Sequence, residues 1–263
     1  MKKILALLFA VMMMAVLFTS CGAADTLVVG YTIYAPMNYE DDNGNLVGFD
    51  TELAQAVGEK IGYTVNFQLL DWKQKYTELN AGNIDCIWNG FTANTSDDDG
   101  IARSEKVDFS YNYMRNKQVI VTTAEIAATI VDNTSLADKV GAVEDASAGD
   151  SFLTDELKGA VKSAVTSQLT AMRELVLGTA DFVVVDDQLA KAYVGTGDYK
   201  DLVIVENVEG TEEFYAIGFK KGSELTAKVN KALEELAADG TIAALAEKYG
   251  VSNTIITDFS DQK

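Results

Sequence analysis

The strongest limit on this fold is a phrase that occurs twice. Leu79-Asn80-Ala81-Gly82-Asn83-Ile84-Asp85-Cys86-Ile87-Trp88 reads leucine, spacer, glycine, spacer, aspartate, apolar strand, and Leu175-Val176-Leu177-Gly178-Thr179-Ala180-Asp181-Phe182-Val183-Val184-Val185 reads the same. Each predicts an amphipathic helix that stops at a glycine C-cap and a buried strand that starts just after the aspartate. Such turns recur in α/β proteins, so chance agreement is the alternative to a true repeat. A true repeat implies two similar lobes, each with a strand whose carboxyl end faces a cleft, the place where open α/β sheets bind ligands.

The rest of the chain alternates in the same way. Strands are expected at Leu27–Gly30, Tyr63–Leu69, Ile84–Trp88, Lys117–Thr122, Lys139–Val143, Ser163–Thr166, Phe182–Val185 and Phe214–Phe219. Between them lie helical patterns such as Phe49–Ile61, with Phe49, Leu53, Ala56, Val57 and Ile61 on one face. Strands alternating with helices predict an α/β fold of two lobes with mixed, mostly parallel sheets. The helical stretches Leu225–Leu236 and Ile242–Tyr249 follow a strand and suggest a return to the first lobe. The expected division is therefore 27–116 plus 214–263 for lobe 1 and 119–210 for lobe 2. Two hinge strands, at 116–119 and 210–215, would let the lobes close on a small ligand.

Length and charge agree with this and exclude other classes. A chain of 263 residues can bury two cores. A net charge of −19 repels phosphate backbones and disfavours nucleic acid. There is no histidine, which removes the commonest general base, the commonest neutral metal ligand and every Ser-His or Cys-His pair. Two cysteines, Cys21 and Cys86, are too few for a clustered thiolate site. No metal and no cofactor are expected. Lys2 and Lys3, the apolar run Ile4–Phe18, and Thr19-Ser20-Cys21 have the layout of a secretory signal over residues 1–20. The apolar run is short for a spanning helix, the competing reading.

Leu17-Phe18-Thr19-Ser20-Cys21 resembles the lipobox of bacterial lipoproteins, with Phe18 where leucine is usual. The resemblance implies a lipid on Cys21, a lipidated linker over 21–26, and Cys86 as a small buried residue in a strand. Beyond the linker, Tyr34-Ala35-Pro36, Asn43 to Asp50, Ile84 to Gly90, Val107-Asp108-Phe109-Ser110 and Ala180 to Asp186 stand in an order that resembles the polar amino-acid class of bacterial solute-binding proteins, family 3, of ABC importers. That family implies a periplasmic-binding-protein-like fold of type II and a monomer that takes up a free amino acid for an ABC permease. Contact with the membrane would be through the lipid alone.

The same resemblance assigns the candidate site. Arg103, four residues before Val107, matches a carboxylate-binding arginine whose fork can pair both oxygens. Asp186 matches an aspartate that takes the ammonium, and Asp187 beside it is read as solvated. Asn89, Gly90 and Thr92 match positions that meet the amino acid through backbone and hydroxyl groups, and Tyr34 and Trp72 match its aromatic walls. Ser147 is read as the N-cap of a helix whose free amides suit a carboxylate. The link Ala93 to Ala102 is several residues longer than in the family and brings three aspartates near the cleft mouth. Where some relatives that prefer basic amino acids carry an acidic residue upstream of Tyr34, this chain has Tyr31 and Thr32, which leaves the side-chain class of the ligand open.

Two other functions fit the same scaffold. One is a periplasmic dehydratase acting on a prephenate-like or arogenate-like acid, for which Glu144, Asp145 and Lys191 are conceivable proton donors or acceptors. The other is a sensor subunit that reports amino acids to a receptor.

Overall fold

A computed structural model describes residues 25–262; the leader, Cys21 and most of the linker lie outside the described residues. Each lobe is built on a five-stranded sheet. In the first the order is Tyr63–Leu69, Asp25–Tyr31, Cys86–Ile87, Gly218–Phe219, Asp108–Phe109. In the second it is Val161–Val165, Val140–Glu144, Phe182–Asp186, Gln118–Thr123, Leu202–Glu209. Gly218–Phe219 and Gln118–Thr123 hold the fourth position, run antiparallel to both neighbours, and are the strands that have just arrived from the other lobe. The remaining pairs are parallel.

The doubled phrase occupies the third position in both sheets, with matching chemistry. Gly82 and Gly178 close their helices at φ 77° and φ 74°, left-handed values open to glycine at no steric cost. Asp85 accepts the Val28 amide at 2.7 Å, and Asp181 accepts the Val140 amide at 2.7 Å. The backbone amides of the two aspartates return bonds to the carbonyls of Val28 and Val140, both at 2.8 Å. Each aspartate thus sets the register between the central strand and the strand beside it, which explains why the repeat keeps glycine and aspartate at one spacing.

Helix Phe49–Ile61 has the predicted bounds and stops at Gly62 in the left-handed region. It buries Phe49, Leu53 and Val57 completely, and Ala56 and Ile61 pack partly exposed against the same core. Burial of this kind contributes roughly 1.5 to 3 kcal/mol per large apolar side chain. Helices Leu225–Ala238 and Thr241–Lys248 cover the same lobe through Val229, Leu233, Leu236 and Ile242. Cys86 is fully buried and unpaired among the described residues.

The short strands Tyr39–Glu40, Leu46–Val47 and Asp108–Phe109 were not expected, and two larger features also differ from expectation. The stretch 214–219 is two strands: Glu213–Tyr215 pairs antiparallel with Met114–Asn116 to form a ribbon between the lobes, and Gly218–Phe219 enters the first sheet. The break is fixed by partners distant in sequence, since Ala216 donates to the Phe91 carbonyl and Ile217 to Ser110 Oγ. Strand Leu202–Glu209 was not expected. It is an irregular edge whose register slips between Ile204 and Glu209, and its polar half, Glu206 to Glu209, lacks a strand pattern.

Candidate functional site

The two repeat strands, one from each sheet, send their carboxyl ends toward the same gap. Trp72, Asn89, Gly90, Thr92 and Arg103 from the first lobe face Glu144, Ser147, Ala148, Gln168 and Asp186 from the second around one cavity. Its volume, about 10 Å³, is that of a single water molecule and far below any amino acid. The lobes are closed on one another, and the cavity has no room for a small molecule until they part. Two more open depressions of about 240 and 500 Å³ flank the junction, but no unpartnered buried side-chain atom lines either of them.

Seven sequence-predicted residues meet here: Trp72, Asn89, Gly90, Thr92, Arg103, Ser147 and Asp186. Tyr34 does not line the cavity. It is buried behind Gly90, with its hydroxyl 2.7 Å from that of Tyr215, because Gly90 has no side chain to hold its ring away. Asp187 is not solvated either; it is 6% exposed and takes Lys191 Nζ at 2.5 Å, the helix having turned it back toward the lobe.

Arg103 is 1% exposed, with its guanidinium stacked 5.1 Å from the Phe91 ring. Its Nε donates to Asp97 Oδ1 at 2.8 Å and its Nη1 to the Thr92 carbonyl at 3.2 Å. Nη2 is buried and has no partner among the described residues. The long link is thus part of the site: Asp97 grips the rear of the guanidinium and leaves one nitrogen free. Although burial opposes it, Arg103 and Lys106 hold the Asp97 carboxyl down at about 2.

Asn89 uses its side chain to pin its own lobe, accepting from Thr32 Oγ1 and donating to the Thr32 carbonyl and Asn38 Oδ1 at 2.6, 2.9 and 2.7 Å. What it offers the cleft is main chain. Ser147 caps its helix, accepting the Asp150 amide at 3.1 Å.

Asp186 sits in a nest of amides. Oδ1 accepts from Asn116 Nδ2 at 2.5 Å and Gln118 Nε2 at 2.7 Å, and Oδ2 accepts from Gln168 Nε2. Glu213 Oε2 takes the same Asn116 and Gln118 nitrogens at 2.8 and 2.9 Å, and Thr92 Oγ1 at 3.2 Å. Burial raises the pKa of Asp186, and burial followed by the nearby Asp186 charge pushes Glu213 up to about 7. Glu144 is pushed up to about 8 by burial and then by Asp186, and its Oε1 has no partner among the described residues. Lys75, also buried, is lowered to about 7, first by burial and then by Arg103.

Sequence reasoning gave Glu144 no binding role and missed Gln168, Glu213 and Lys75. Glu144 was findable as the residue that ends a strand on the cleft side, as Asp186 does. Gln168 could have been found only as the first residue of a helix facing that strand.

Gly90 permits a direct test. Its φ is +59°, and a β-carbon there would lie 2.7 Å from Tyr34 Cε1 and 3.0 Å from Tyr215 Cε2. Gly90→Val is expected to cost about 2 kcal/mol or more in stability through backbone strain and displaced rings, read as a lower urea midpoint at unchanged slope.

A family model described as bacterial extracellular solute-binding proteins, family 3, matches residues 27–252. The arginine-binding extracellular protein ArtP of Bacillus subtilis (strain 168) is 26% identical over 261 residues, 95% of this chain and 98% of that protein. Among solved structures, an ancestral arginine-binding protein bound to arginine superposes with a TM-score of 0.77 at 33% identity, covering 85% of this chain and 97% of that one. The ancestral amino acid-binding protein AncCDT-1, a precursor of cyclohexadienyl dehydratase, superposes with a TM-score of 0.75 at 30% identity, covering 85% and 95%. The arrangement of lobes and hinge strands is the type II periplasmic-binding-protein fold.

Proposed function

The chain belongs to the bacterial extracellular solute-binding proteins, family 3, and on that premise we propose that it captures a free amino acid between its lobes outside the cytoplasm and passes it to an ABC permease. The observation that carries this reading is the convergence of opposite charges across one sealed gap. Arg103 from one lobe presents an unpartnered guanidinium nitrogen, and Asp186 from the other presents a carboxylate aimed by three amides. A zwitterion needs both, and neither lobe supplies both alone. The free end of Arg103 and the Ser147 helix terminus suit the ligand carboxylate, and Asp186 suits its ammonium. The main chain at Asn89 and Gly90, with Thr92, completes the first lobe's share, and Trp72 supplies an aromatic wall, with Tyr34 supporting Gly90 from behind.

Segments 116–119 and 210–215 serve as the hinge. Lobe 1, over 27–116 and 214–263, and lobe 2, over 119–210, swing about it as rigid bodies, and the protein acts as a monomer. Residues 1–20 are removed on export and Cys21 carries a lipid. No helix among the described residues is long and apolar enough to cross a membrane. Cys21→Ser is expected to release the protein from the membrane fraction into the soluble fraction, as read by fractionation and immunoblotting.

The matching family and the relatives named above are binding proteins, which favours capture over the dehydratase alternative. A thermal-shift screen of residues 22–263 against the twenty amino acids tests the reading. A ligand that binds only the folded state at a hundred times its Kd adds about 2.7 kcal/mol, which raises Tm by several degrees. No shift with any of the twenty would overturn it.

A further inference from the structure

Asp186 and Glu144 both end strands of the second lobe and both face the cavity, but they are supplied with hydrogen bonds very differently. Asp186 is ringed by the amides of Asn116, Gln118 and Gln168. Glu144 is 4% exposed, and its Oε1 meets no donor. Lys75 does not satisfy it, since its ammonium is turned to the carbonyls of Ala146 at 3.0 Å and Trp72 at 3.4 Å. Arg103 does not satisfy it either, since Nη2 is itself unpartnered. A buried carboxyl group without a donor destabilises the protein that carries it. The two charges common to every amino acid are answered by Arg103 and Asp186, which leaves Glu144 as a second acid with no counterpart in those shared groups.

We propose that Glu144 receives a hydrogen-bond donor on the ligand's side chain, so that the cleft selects amino acids whose side chains are cationic. This rests on the amino-acid reading above and names the substrate class. The Trp72 ring, which already carries Lys75 Nζ 5.0 Å from its centroid, gives the aliphatic stem of such a side chain an apolar wall and its charge a π face.

Two nearly isosteric pairs test this by titration calorimetry on residues 22–263: L-arginine against L-citrulline and L-lysine against L-norleucine. The expected result is that the charged member of each pair binds at least about tenfold more tightly, and that Glu144→Gln brings each ratio close to one while changing the neutral members by less than about threefold. The unliganded Glu144→Gln protein should melt no lower than the parent, because an amide of equal size replaces an unpartnered acid. Equal binding of arginine and citrulline by the parent would overturn the proposal. A Glu144→Gln protein that lost both members of each pair equally would also overturn it, by placing Glu144 on the ligand's α-ammonium. A thermal shift from a neutral or acidic amino acid, with all four probes silent, would overturn the selection and leave amino-acid capture standing. Silence from all twenty amino acids would overturn both.

Discussion

Arg103→Met is expected to yield a folded protein that has lost its amino acid, with affinity down by on the order of a hundredfold or more. The methionine refills the space of the arginine stem beside Phe91 and keeps an apolar contact with that ring. Asp97 keeps Lys106 Nζ at 2.8 Å, so it is not stranded. What disappears is the donor at Nη2, the part of the arginine that neither Asp97 nor the Thr92 carbonyl engages. Removing one partner from a buried, hydrogen-bonded charge pair costs about 2 to 5 kcal/mol, and each 1.4 kcal/mol is about tenfold in Kd. Calorimetry with the amino acid that gives the largest thermal shift provides the number. Arg103→Lys separates charge from shape. An ammonium cannot hold Asp97 and the Thr92 carbonyl and still present a second nitrogen to the cavity, so most of the loss should persist. Near-parental affinity in the methionine variant would remove Arg103 from the site.

The doubled phrase was legible because its chemistry is local. A left-handed glycine and an aspartate that binds the neighbouring strand's amide are needed wherever a helix turns directly into a central strand, and both copies carry them at one spacing. Helix Phe49–Ile61 was legible end to end because its apolar spacing and the glycine after it agree. The split of 214–219 was not, because it depends on which strand each half meets, Met114–Asn116 or Cys86–Ile87, and those partners lie far away in sequence. The position of Arg103 followed from its motif, whereas its orientation follows from Asp97, in the link that joins Thr92 to Arg103. Glu144 was hidden for another reason. Its significance is an unmet hydrogen bond, and a sequence records the residues present but not the donors missing around them.

The acids buried around this cleft also predict an unusual dependence of stability on pH: the unliganded protein should be least stable near pH 7 to 8 and gain several degrees of Tm on acidification to about pH 5. Asp50 is raised to about 7 by burial, against the Gly90 amide and the Tyr113 hydroxyl that bind it. Glu213 is raised to about 7, Glu144 to about 8, and Asp186 is raised as well. Each has a folded pKa above its unfolded value near 4. Between about pH 4.5 and 7 the native state therefore binds more protons than the unfolded chain, and stability that is complete below the unfolded pKa is lost as pH rises through the folded one. Asp186 and Glu213 share the nitrogens of Asn116 and Gln118, so they resist ionising together and steepen the same trend. Lys75 acts on the other side. Its folded value of about 7 lies below its unfolded value of 10.5, so its contribution is present above that unfolded value and is lost as pH falls toward 7. Asp97 and Asp239, held at about 2, change stability only below about pH 4 and leave the window untouched. Melting curves from pH 4.5 to 9 should trace a minimum, and a bound amino acid should fill it, because its ammonium stabilises the ionised carboxylates that the empty cleft disfavours. A Tm that rises steadily from pH 5 to 7.5 in the unliganded protein would mean that these acids are better solvated or better paired than their burial implies, and that the cleft is open in solution.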